Sequence, residues 1–186
     1  MSDKRFGLSK SDMDRIENKV DQLFNSIGYD FSKVPIDVID VAKRLGFAVA
    51  QAKLNTDDDG FIVVDKGKLE ILGIKTDRLI GFNYNRTPEW KRFIIAHEIG
   101  HYALDYEKDN SNGLYAHRDH RRGHDQAENE VDYFAASLLM PKKVFVNIYN
   151  MFKETSSDNN VLVDMLSKYF LVTTKMATRR VEELGL

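Results

Sequence analysis

The chain has 186 residues, of which 42% are hydrophobic and 30% are charged, so it can bury a core of ordinary size. Its 27 lysines and arginines against 29 aspartates and glutamates give a net charge of −2, without the basic surplus typical of proteins that bind nucleic acid. The absence of cysteine excludes disulfides and thiolate ligands, so any zinc must be bound by histidine and carboxylate side chains.

The start of the chain predicts neither export nor a membrane anchor. Residues 1–10 are charged and no apolar run follows them, in contrast to a signal peptide. No apolar stretch approaches the ~20 residues that a membrane-spanning helix needs. The sequence therefore predicts a cytoplasmic protein with a single domain over residues 1–186.

Two helices are predicted in the first part of the chain. Apolar residues recur at helical spacing over residues 9–27, and Gly28 follows as a stop signal. A second helix is predicted over residues 35–45, with Gly46 ending it.

The pattern then changes from helical to β-rich. Short apolar runs predict strands at residues 47–52, 61–65, 70–74 and 79–83. Acidic and glycine-containing sequences predict turns at residues 57–60 and 65–68. These elements together predict a small, twisted and mainly antiparallel sheet.

Helical sequence resumes after the sheet. Thr87 and Pro88 suit the N-cap and the first position of a helix that continues to Leu104. Residues 105–124 are polar and contain glycine, which predicts an irregular segment.

The last part of the chain is predicted to be helical. A helix over residues 125–140 is stopped by Pro141, and two or three shorter helices follow, the last over residues 173–184. Helices, then a sheet, then further helices predict an α+β fold.

His97, Glu98 and His101 form a His-Glu-x-x-His pattern inside a predicted helix. Residues four apart lie on one helical face, so both imidazoles can bind one zinc ion. Glu98 is rotated by ~100° and can instead reach zinc-bound water as a general base. The longer zinc-protease motif is absent, because Leu104 and Glu107 occupy its glycine and histidine positions. The alternative is a pair of helix histidines near the surface, with Glu98 solvated.

A catalytic zinc requires a third protein ligand, and the following helix contains two candidates. Glu128 shares a helical face with Asp132, so Glu128 could bind zinc while Asp132 accepts a hydrogen bond from a ligand imidazole. Glu130 lies on a different face of this helix and is the second choice for the third ligand. Alternatively, Glu128 forms a capping box with Asp125.

Other polar residues could contribute to the site. Three histidines could bind a metal or stabilise an oxyanion, although a solvated loop is the favoured interpretation. These are His117, His120 and His124. Three tyrosines are further candidates for oxyanion donors, although packing is the commoner role of tyrosine. These are Tyr102, Tyr115 and Tyr133.

Residues 162–184 have some features of a DNA-binding helix-turn-helix, since Arg179 and Arg180 lie in the last helix. A packed helix pair with a basic end explains the same pattern and agrees better with the charge balance. We therefore expect no direct binding to nucleic acid.

Together, these motifs resemble those of the ImmA/IrrE family of metallopeptidases. The similar segments are residues 60–64, 80–83, 92–101, 128–135, 138–141 and 169–180. Two departures are Val131, where the family usually has alanine, and Thr173, where it usually has serine. The resemblance covers residues 35–186, which leaves residues 1–34 as an N-terminal helical extension.

The resemblance implies both a ligand set and a function. It implies zinc ligands at His97, His101 and Glu128, a general base at Glu98, and a sheet packed beside the zinc-binding helix. It also implies endopeptidase cleavage of a specific protein, either a helix-turn-helix repressor or another regulator. No separate DNA-binding domain is recognised, so a stand-alone peptidase is expected. The alternative is a non-catalytic zinc module that binds and displaces such a regulator.

Overall fold

A computed structural model describes residues 4–5, 7–71, 73–104, 114–120 and 126–186. These residues form seven helices, a four-stranded mixed sheet and a short two-stranded pairing. The strands are β1 (Lys4–Arg5), β2 (Leu8–Ser9), β3 (Ala48–Ala52), β4 (Asp58–Ile71), β5 (Ile74–Asn83) and β6 (Leu114–His120). The helices are α1 (Lys10–Ser26), α2 (Val38–Arg44), α3 (Pro88–Leu104), α4 (Gln126–Leu139), α5 (Lys142–Lys153), α6 (Asn159–Phe170) and α7 (Thr174–Leu184). This is the predicted α+β fold.

The four-stranded sheet has the order β3-β5-β4-β6 and is mainly antiparallel. β5 pairs antiparallel with β4 and parallel with β3, while β6 pairs antiparallel with β4. The predicted turn at residues 65–68 is wrong, because β4 continues through it. The pairing with β5 shifts register between Val64 and Leu69, so an irregularity in the ladder accommodates the polar run.

The prediction of an irregular segment over residues 105–124 is also wrong in part. Residues 114–120 form β6, an edge strand whose backbone pairs with β4 from Asp65 opposite Leu114 to Asp58 opposite His120. Pairing with a strand about 50 to 60 residues earlier overrides the weak local preference of this sequence. The remainder of the segment lies outside the described residues.

The helix ends follow the capping chemistry of the sequence. The Ser9 side chain and Asp12 form a reciprocal capping box at the start of α1. The second predicted helix begins later than expected, at Val38, because the Asp37 carboxylate accepts hydrogen bonds from backbone N–H groups in its first turn. α3 begins at Pro88 as predicted, and three helices follow α4.

Helix α3 is the central element of the fold. It packs against β4 and β5 on one side and against α4 on the other, and α1 packs in turn on α4. Buried apolar residues from all seven helices and from the larger sheet form one continuous core. None of the helices in the described part of the chain is long and apolar enough to cross a membrane.

Candidate metal centre

Every residue of α3 from position 94 to position 101 is buried. This run includes His97, Glu98 and His101, and the Glu98 side chain has no solvent exposure. Burial of ionisable side chains is costly unless other polar groups or a metal ion compensate for the lost water. Three buried ionisable residues within five positions of a central helix therefore indicate a polar functional site inside the core.

The two histidines and Glu128 of α4 bring their ligand atoms together. The Nε2 atoms of His97 and His101 are 3.1 Å apart. The Glu128 carboxylate oxygens lie 3.4 Å from His97 Nε2 and 3.7 Å from His101 Nε2. Zinc bonds of ~2.0–2.2 Å at tetrahedral angles separate ligand atoms by about 3.3–3.6 Å. The three side chains therefore fit a tetrahedral metal ion with one position left for water or substrate.

A glycine allows α4 to approach α3 closely beside this site. A Cβ atom at Gly100 would lie 3.0 Å from the Val131 side chain and 3.2 Å from Phe134. Both contacts are tighter than ordinary van der Waals separations, so a side chain at position 100 would require Val131 and Phe134 to shift by a few tenths of an ångström. Because Glu128 lies one turn before Val131, the closeness of the helices places its carboxylate within reach of the histidines.

Asp132 lies one turn after Glu128 and holds the other side of the His97 ring. Its Oδ1 is 3.1 Å from His97 Nδ1. A proton on Nδ1 would be donated to this carboxylate, which leaves the Nε2 lone pair directed towards Glu128 and His101. The structure therefore places Asp132 where the sequence predicts an orienting carboxylate.

The surroundings of His97 favour positive charge. Burial lowers the pKa of its imidazole, but hydrogen bonds to Asp132 and Glu128 and the negative charges of Glu98 and Asp132 outweigh this effect and raise the pKa to about 10. A divalent cation meets the same electrostatic requirement while leaving the imidazole neutral, as metal ligation requires.

Glu98 lies on the sheet side of α3, next to the first residues of β4. A Cβ atom at Gly60 would lie 3.0 Å from Glu98 Oε1 and 2.5 Å from Ile94 Cγ2, so only glycine allows the strand to lie this close to the helix. Among the described residues, the group of potential metal ligands comprises His97, His101 and Glu128, and Glu98 is not part of it. This position is compatible with a base that acts beside a metal without binding it.

The residue before Gly60 is one that sequence reasoning missed. Asp59 is buried, and its carboxylate accepts hydrogen bonds from Arg86 Nε at 2.5 Å and from Trp90 Nε1 at 2.9 Å. These bonds attach the start of β4 to the first turn of α3, through Trp90, and to the connection before that helix, through Arg86. The predicted turn at residues 57–60 is wrong in part, because β4 begins at Asp58. An acidic run ending in glycine is a turn signal, and nothing local in it indicates these distant partners.

The other residues predicted for the site either make contacts away from the ligand group or have side chains that the structure does not describe. Glu130 pairs with Arg15 of α1 at 2.5 Å and is not part of the ligand group. Tyr133 donates a hydrogen bond to Glu17, and Tyr102 accepts one from Arg78. The backbones of Tyr115, His117 and His120 belong to β6, but their side chains are outside the described set. His124 and Asp125 lie outside the described residues.

The chain belongs to the peptidase M78 family, whose IrrE N-terminal-like domain matches residues 42–182. This membership confirms the resemblance inferred from the motifs and assigns the chain to a class of metal-dependent peptidases. A Mycobacterium tuberculosis transcriptional regulator has a similar fold, with a TM-score of 0.55 and 13% identity over 91% of this chain and 46% of that protein. This chain thus spans about half of that protein, and the likeness shows the fold alone. Among curated proteins, none matches the chain.

The assignment of the third ligand predicts a clear ranking of two conservative variants. Glu128→Gln should weaken zinc binding by more than the ~10–100-fold typical of losing an orienting partner, because it removes a ligand itself. Glu130→Gln is the matched control, since it removes an acid two positions away that pairs with Arg15. Competition with a chromophoric chelator measures both affinities. The reverse order would make Glu130 the ligand, and two unchanged affinities would point to the histidines of residues 117–124.

Proposed function

We propose that the protein is a zinc-dependent endopeptidase that cleaves a specific regulatory protein, such as a helix-turn-helix repressor. The observation that carries this proposal is the convergence of His97, His101 and Glu128, with donor separations of 3.1–3.7 Å, next to the buried Glu98. Membership of a peptidase family supports hydrolysis of a peptide bond. The motif resemblance to ImmA/IrrE peptidases supports a regulator as the target.

The residues of the site have separate roles in the proposed reaction. Zinc bound by the three ligands would act as a Lewis acid that lowers the pKa of water and polarises the scissile carbonyl. Glu98 would accept the proton of the attacking water and later deliver it to the leaving amine. Asp132 would keep the His97 imidazole in one orientation throughout.

The sheet offers an edge for the substrate backbone near Glu98. Gly60 of β4 lies against Glu98, and β6 is the edge strand next to β4, whereas β3 lies two strands away on the other side. Neighbouring strands are ~4.8 Å apart, so the outer edge of β6 is the closer of the two edges. An extended substrate segment would pair there as an added strand.

Direct binding to DNA through the C-terminal helices has less support. Arg180 is completely buried and donates hydrogen bonds to Glu17 and to the Met140 carbonyl. Arg179 donates a hydrogen bond to Glu183. The basic pair of the last helix therefore contributes to internal ion pairs, and the net charge of −2 adds no general attraction to phosphates.

The proposal is tested by incubating the zinc-loaded protein with a candidate regulator, first the product of an adjacent regulator gene. We expect the regulator to be cut at one site, to survive when a chelator removes the zinc, and to be cut again when zinc is restored. Mass spectrometry of the fragments would identify the cleaved bond. A regulator that binds the zinc-loaded protein tightly and stays intact would instead support the non-catalytic module.

A further inference from the structure

The carboxylate that orients His97 has a second contact, with the last helix of the chain. Asp132 Oδ1 faces His97 Nδ1, and Asp132 Oδ2 lies 4.0 Å from a terminal guanidinium nitrogen of Arg179 on α7. The Arg179 and Asp132 side chains are 35% and 22% exposed, so the pair lies at the margin of the buried site. A fixed positive charge here would restrain the carboxylate that in turn restrains the imidazole.

Arg179 is itself held in place from the opposite side. Its Nε donates a hydrogen bond of 2.8 Å to Glu183, which lies one turn further along α7 and whose side chain is fully buried. A guanidinium can contact two carboxylates at once because its donors form a rigid planar fork. The two contacts fix the direction in which Arg179 leaves the helix.

The adjacent residue anchors α7 to the rest of the core. The completely buried Arg180 donates to Glu17 Oε1 at 2.7 Å, and the same oxygen accepts hydrogen bonds from Tyr133 and Ser137 of α4. Arg180 also lies 3.8 Å from Glu183. An unbroken series of charged contacts therefore runs from α1 through α7 to Asp132 and His97. Glu17, at its far end, lies before the family-matched residues 42–182.

We propose that Arg179 is a positioning residue of the metal centre, which acts by holding Asp132 in the orientation that directs His97 towards the metal. This proposal rests on the metal site of the proposed function but not on peptidase activity. Residues that bond directly to a ligand typically change metal affinity by ~10–100-fold, and Arg179 acts one contact further out through a partly exposed pair. Its loss should therefore weaken zinc binding by a smaller factor, on the order of 3- to 10-fold.

The test compares two arginine variants whose partners both lie on α4. Arg179→Gln should weaken zinc binding by that factor in chelator competition. Arg15→Gln, which breaks the contact with Glu130, should leave the affinity within about twofold of the wild type, as expected for an exposed pair. Arg179→Lys should give an intermediate value, because lysine retains the charge but not the two-sided fork. It also serves as the second variant if Arg179→Gln does not fold, as judged by circular dichroism without metal.

A double-mutant cycle distinguishes positioning from general support of the fold. If Arg179 acts through Asp132, adding Arg179→Gln to Asp132→Asn should cause no further loss of zinc affinity. Additive losses would overturn the proposal, as would wild-type affinity in both Arg179 variants. Absence of zinc binding by the wild type would refute the metal site of the proposed function as well, so the two failures are distinguishable.

Discussion

The Glu98→Gln protein is expected to keep its fold and its zinc while losing cleavage of the target. Glutamine has nearly the same shape as glutamate but cannot take up the proton of the attacking water. Removal of a general base typically lowers the rate by ~10²–10⁴-fold, and by more where the base also positions the water. Because Glu98 is outside the group formed by His97, His101 and Glu128, the metal affinity should not change.

The measurement requires the genuine substrate, since a peptidase of narrow specificity can ignore casein or short peptides. Cleavage is followed on gels at equal zinc content, which is measured on the same samples. Glu89→Gln, in the first turn of the same helix, is the matched control and should cleave at the wild-type rate. Equal inactivation of the target by wild type and Glu98→Gln, without fragments in either case, would contradict catalysis and support a docking module.

Removal of either histidine should empty the metal site. The purified wild type is expected to contain about one zinc per chain, held by three protein ligands and a water molecule. His97→Ala and His101→Ala each leave two ligands at a site whose three donors are within 4.8 Å of one another, so tight binding should be lost. Elemental analysis after zinc loading and desalting gives the stoichiometry directly.

Thermal unfolding provides a second measure of the same loss. Zinc at 100 times its Kd should stabilise the wild type by about 2.7 kcal/mol, and this stabilisation should be absent in both alanine variants. His120→Ala in β6 is the matched control, because it removes the same side chain from outside the proposed ligand set. Zinc-dependent stabilisation that survives in His97→Ala and His101→Ala but disappears in His120→Ala would move the site to β6.

Much of the site could be predicted because its spacing is local. A helix places residues four positions apart on one face, so His97 and His101 were paired by the geometry of α3 alone, and Glu128 and Asp132 by that of α4. The choice between Glu128 and Glu130 as the third ligand does not follow from helical spacing alone. It depends on which face α4 turns towards α3, and packing at Gly100 together with the Arg15–Glu130 pair decides that rotation.

The strands were predicted less well than the helices, because strands depend on contacts between distant parts of the chain. A helix is formed within its own segment, whereas a strand is completed by a partner that lies elsewhere in the chain. The polar run at residues 65–68 belongs to β4, and the edge strand β6 exists through pairing with β4. Local composition in both places favoured turns or irregular chain.

The sequence by itself determined the family and the α+β class, and it placed His97, Glu98 and His101 together on one helix, since each depends on motifs or on helical periodicity. Only the tertiary structure revealed the role of Asp59, which bonds to Trp90, and of Arg180, which bonds to Glu17 over 163 positions. By itself, the acidic run predicted a turn, and the basic pair predicted only the basic end of a packed helix pair. The burial of Asp59 and of Arg180 is compensated by partners that lie far away in the chain, and local sequence does not identify such partners.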